Sequence, residues 1–178
     1  MATNELTLEA RARRAYETGR LRWSLRPAAP ILAAAAVAIA CGRPAGLSIA
    51  LAAALLPLAV GLSFAGGPAG RAVRPGLLAG AFPFAMPLLV QTAGHLCLGD
   101  RCMSFCLPAC VLGGAIGGGL IALRSAREGE GAAFLISGVA IAALVGSLGC
   151  TLAGLAGVTG MLGGVLVAGA PVLVAARR

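Results

Sequence analysis

The chain has 178 residues, of which 59% are hydrophobic and 11% charged, with a formal net charge of +8 and a mean hydropathy of +0.94. A water-soluble core cannot hide that much apolar sequence, which excludes an ordinary soluble domain. The positive charge is all arginine, with no folded basic domain to present it, so it reads as a membrane-orientation signal and not as a nucleic-acid surface.

Residues 1–26 read as a basic cytoplasmic segment forming a short amphipathic helix, capped by Asn4 or Thr7. Leu8, Ala12, Ala15 or Tyr16, and Gly19 recur at helical spacing, and Glu9 stands four residues before Arg13, the favoured order for an ion pair. Arg13, Arg14, Tyr16, Arg20, Arg22 and Trp23 are its candidate contacts, with anionic lipid or with a cytoplasmic partner.

A lipid-crossing helix needs about 20 residues with few ionised side chains. Uncharged intervals run over 27–42, 44–70, 75–99, 102–123 and 131–176, with lengths of 16, 27, 25, 22 and 46. The last holds two helices meeting near Gly149, Cys150 and Thr151, so residues 27–178 predict six spans, at 27–43, 46–66, 76–95, 104–123, 132–150 and 154–176. The first is short, and Arg26 and Arg43 at its ends are expected to snorkel and extend it. Glu5, Glu9 and Glu17 in the lead-in argue for a retained span and against a cleaved signal peptide.

Pro83 and Pro87 predict a kink in the third span. Gly113/Gly117 and Gly114/Gly118 in the fourth, and Gly160/Gly164 in the sixth, have the four-residue spacing that lets helix backbones approach closely. With six spans, twelve arginines fall on one side of the membrane and only Arg43 and Arg101 on the other. Short Arg-rich loops stay in the cytoplasm, so both termini are expected inside, in a bacterial cytoplasmic (inner) membrane. The fold class expected is thus all-α integral membrane, a six-helix transmembrane bundle, N-in and C-in.

Apart from Arg43 at the very end of the first, no span contains Asp, Glu, Lys or Arg, which argues against ion-coupled transport, and the single histidine excludes a bis-histidine haem within the chain. In this topology Cys41, Cys97, Cys102, Cys106, Cys110 and Cys150 all fall on the exoplasmic side, with His95 beside them. Three readings compete: structural disulfides, for which six cysteines allow 15 pairings; a soft-metal site for zinc, copper or mercury; and a redox-active pair. If Ser104 caps the fourth span, Cys106 and Cys110 are helical neighbours with Cβ atoms about 5–6 Å apart. A disulfide needs about 3.5–4.5 Å, so these two should not bond each other.

The basic lead-in from Arg13 to Arg22, the six short spans and the outer-face cysteines resemble the bacterial membrane regulators known as negative regulators of sigma F. The resemblance implies stress sensing by exoplasmic cysteines, with Cys150 the best positional match, and restraint of a cytoplasmic sigma factor. The reading is a non-enzymatic membrane sensor-regulator that binds no nucleic acid directly, with the lipid bilayer and a cytoplasmic regulatory protein as partners and no cofactor beyond the soft metal of the second reading. The alternatives are a small transporter or channel for a soft metal or neutral solute, and a structural membrane subunit.

Overall fold

Where charge-free sequence is this glycine- and alanine-rich, backbone hydrogen bonds must close within each segment, and in a computed structural model the elements among the described residues are helices and one short strand pair. The structure describes the backbone of residues 2–92, 97–98, 101–102, 106–150 and 154–176, and the side chains of 9–90, 107–149 and 157–171. In order come α1 (Ala2–Ser24), α2 (Ala28–Ala40), α3 (Ala45–Ala65), α4 (Gly67–Arg71), α5 (Val73–Thr92), β1 (Cys97–Leu98), β2 (Arg101–Cys102), α6 (Cys106–Glu128), α7 (Ala132–Cys150) and α8 (Gly154–Ala176). Among the described residues, five stretches are long and apolar enough to cross a membrane: Glu9–Ala40, Ala45–Ala65, Val73–Val90, Leu107–Glu128 and Ala132–Gly149. In α8 the apolar stretch is Gly157–Pro171.

The N-terminal segment departs from expectation. Its helix starts at Ala2, ahead of both Asn4 and Thr7. Every residue from Glu9 to Trp23 is exposed, Ala12, Ala15, Tyr16 and Gly19 among them. Arg13 pairs with Glu17 at 3.2 Å, and not with Glu9, although Glu9 stands in the favoured order. A tight turn joins α1 to α2. Leu25 N–H donates to the Leu21 carbonyl and Ala28 N–H to that of Leu25, carrying the backbone through to α2. This join matters because the 13 residues of α2 span only about 20 Å, against about 30 Å of hydrocarbon.

The end of α2 explains a second correction. Gly42 has φ +81°, the left-handed conformation that suits glycine, and Arg43 N–H donates to the Ala38 carbonyl, closing a Schellman turn. That turn directs Arg43 into the protein, where it is 3% exposed and does not snorkel outward. The same device ends α6: Gly129 has φ +64°, Glu130 N–H donates to the Ser125 carbonyl, and the Ser125 hydroxyl donates to the Glu130 carbonyl at 3.0 Å. α6 therefore runs to Glu128, beyond the 104–123 expected, and α4 is a helical turn in what read as a loop.

Glycine sets the helix order. A Cβ added to Gly113 would sit 2.7 Å from Pro83 Cα, and one on Gly117 2.6 Å from the Ala79 carbonyl oxygen. One on Gly118 would sit 2.7 Å from Val165 Cα, while Gly114 abuts the backbone of Met161 and Gly164 that of Val111. Gly160 meets the side chains of Leu107 and Val111 at 3.1 Å. α6 is thus wedged between α5 and α8, one glycine pair facing each, and pairs most extensively with α8. Pro83 fills a slot between Gly113 and Gly146, so its ring is accommodated by missing side chains on two neighbours. Gly149 reaches the Phe84 backbone, with an added Cβ 2.6 Å from Phe84 Cα, joining α7 to α5. α2 and α3 complete the core through Ile31, Leu55 and Ala59 packed with Ile141 and Val145 of α7.

Candidate functional site

These contacts fix which helix ends lie together. Residues 113 and 117 of α6 meet 83 and 79 of α5, so those two are antiparallel; 149 and 76 meet α7 and α5 partners in ascending order, so those two are parallel. The start of α6 and the end of α7 both converge on Pro83 and Phe84, which places Cys110 and the backbone of Cys150 at one end of the bundle. Cys110 is fully buried, clustered with Met161 and Ala143. Cys41 caps α2, half-buried and carrying a free thiol. Its end of α2 lies opposite the α1–α2 join, which packs by the start of α5.

The strands β1 and β2 follow α5 and place Cys97 directly across from Cys102, with Leu98 across from Arg101. Cys106 is the first residue of α6, one turn before Cys110 on the same helix. The side chains of Cys97, Cys102, Cys106 and Cys150, and the whole of His95, lie outside the described residues. Among the described residues no three potential metal ligands come together.

The opposite end gathers arginine. Arg20 donates from Nε to the Phe64 carbonyl at 2.8 Å and lies over the Phe64 ring at 4.7 Å, satisfying a carbonyl that the end of α3 leaves open. Trp23, 53% exposed, has the guanidinium of Arg26 4.9 Å and that of Arg74 4.4 Å from its ring centroid. Arg71 pairs with Glu130 at 2.9 Å, and Arg124 with Glu128 at 3.4 Å. Of the predicted contact residues, Arg20 and Trp23 are engaged inside the chain and Arg13 with Glu17, while Arg14, Tyr16 and Arg22 are exposed on α1.

Sequence reasoning did not bring Arg26, Arg71, Arg74 and Arg124 together, as the structure does. Counted as orientation charges, Arg26 also as a snorkelling end of the first span, they come from three separated segments, and nothing local joins them. The available signal was Trp23, the single tryptophan, three residues from Arg26 and at the boundary of an apolar run.

Helices of this length and apolarity, packed through glycine, define a helical membrane protein. No protein family, curated protein or solved structure matches the chain.

Proposed function

We propose that this chain is a six-span sensor-regulator of a bacterial cytoplasmic membrane, with both termini in the cytoplasm, the cysteines on the exoplasmic side and α1 presented to a cytoplasmic regulatory protein such as a sigma factor. The observation that carries this reading is that Cys41, Cys110 and the backbone of Cys150 lie at one end of the bundle while Arg20, Arg26, Arg71, Arg74 and Arg124 gather at the other. α6 spans the distance, with Cys110 in its first turns and Arg124 and Glu128 at its end. The twelve-to-two division of arginines supports the orientation, and the 23 residues of α8 are long enough for a sixth crossing.

In this reading two exoplasmic thiols are oxidised to a disulfide, losing two electrons and two protons to a peroxide, which is reduced to water. The new bond favours one of two packings of the glycine-lined helices, and a modification that affected both packings equally would shift nothing. The test compares cytoplasmic proteins bound by the wild type and by a variant with Cys97, Cys102, Cys106 and Cys110 replaced by serine, with and without peroxide. The expected result is binding that responds to oxidant in the wild type alone. Identical binding by both under all conditions, or none by either, overturns the sensor reading in favour of a transporter or structural subunit.

A further inference from the structure

A cavity of about 570 Å³ opens at the arginine end, between the α1–α2 join, the start of α5 and the end of α6. Its rim carries Arg26, Arg71, Arg74 and Arg124 against one carboxylate, Glu128. Two of these charges are already balanced, Arg71 by Glu130 and Arg124 by Glu128. Arg26 and Arg74 make no ion pair among the described residues, yet both are held on the single Trp23 ring. Stacking uses the flat face of a guanidinium and leaves its in-plane N–H fork unspent, and that fork matches a phosphate. Two like charges on one ring repel until an anion bridges them.

The walls are of two kinds, which selects the ligand further. Pro27, Pro30, Val73 and Leu77 line the cavity beside the arginines. A free phosphate has no use for that apolar lining, whereas an amphiphile sets its headgroup on the rim and its glycerol and first methylenes on the prolines. Tryptophan at a helix end marks the interfacial level where such headgroups lie, and basic cavities between helices at that level take anionic headgroups. We infer that this cavity binds the phosphodiester headgroup of an anionic phospholipid from the leaflet surrounding the arginine end, clamped by Arg26 and Arg74.

Trp23 is the only tryptophan, so its fluorescence reports this site alone. The full chain is reconstituted in phosphatidylcholine vesicles containing equal fractions of phosphatidylglycerol, with bromine placed near the glycerol end of the acyl chains of one lipid or the other. Brominated phosphatidylglycerol is expected to quench Trp23 at least twofold more than brominated phosphatidylcholine. The preference should vanish in Arg26→Gln/Arg74→Gln and survive in Arg11→Gln/Arg127→Gln, whose residues lie outside the cavity. In the wild type, soluble glycerol phosphate at millimolar concentration should leave it unchanged and high salt should erase it. Equal quenching by both lipids, a preference retained by the Arg26/Arg74 variant, or displacement by glycerol phosphate overturns the inference. The salt arm decides the question in wild-type protein if that variant does not fold.

Discussion

Replacing Gly118 with alanine, beside the same change at Gly119, isolates the contact that holds α6 to α8. The new methyl of Gly118→Ala would lie 2.6 Å from the Val165 carbonyl oxygen and 2.7 Å from Val165 Cα, whereas at Gly119 nothing lies within 4 Å. Carbon atoms rest at roughly 3.5–4.0 Å, so α6 and α8 must part by nearly 1 Å at that level. Both neighbours there are backbone, which cannot swing aside as a side-chain tip can. Overpacking of this kind costs about 1–3 kcal/mol, offset by the roughly 0.5–1 kcal/mol that alanine contributes over glycine inside a helix. Gly119→Ala keeps the helical gain alone. The two variants should therefore differ in stability by about 1–3 kcal/mol, with Gly118→Ala below the wild type and Gly119→Ala at or above it. Reversible unfolding in mixed micelles, with dodecyl sulfate as denaturant and helicity as the signal, measures that difference. Equal stability for the two variants would refute the glycine-packed interface and the helix order derived from it.

Reporter fusions after Arg74, Arg127 and Arg178 should be cytoplasmic and one within 96–103 exoplasmic; a cytoplasmic 96–103 loop would put the thiols in a reducing compartment and remove the sensor reading. Mass spectrometry of non-reduced peptides should find most of the six thiols oxidised and no Cys106–Cys110 crosslink, since both residues belong to α6. Arg71→Ala should cost about 1–3 kcal/mol by leaving Glu130, whose side chain is 7% exposed, without its cation, and adding Glu130→Gln should restore most of the loss. Arg124→Ala should cost less than about 0.5 kcal/mol, because both partners of that pair are well exposed. Arg20→Ala should release α1 from the end of α3, raising amide exchange over 10–22 while that of α6 stays unchanged; uniform exchange changes would mean that Arg20 is not the tie.

The sequence by itself determined that this is a helical membrane protein and roughly where the helices lie, because charge spacing and apolar length are one-dimensional constraints that any bilayer imposes. The intervals around 44–70, 75–99, 102–123 and 131–176 each contain helix in the structure for that reason. It also marked Gly113, Gly114, Gly117, Gly118 and Gly164 by spacing, but not that the first and third of these face α5 while the second and fourth face α8. Tertiary structure alone decided what the charges do. Arg43 turns inward because a left-handed glycine precedes it, and Arg13 takes Glu17 where Glu9 stood equally near in sequence. Trp23 gathers Arg26 from its own segment and Arg74 from more than fifty residues away. Such choices depend on which helix ends meet in space, and periodicity cannot specify that: it defines a helix's faces without naming the neighbour each one meets.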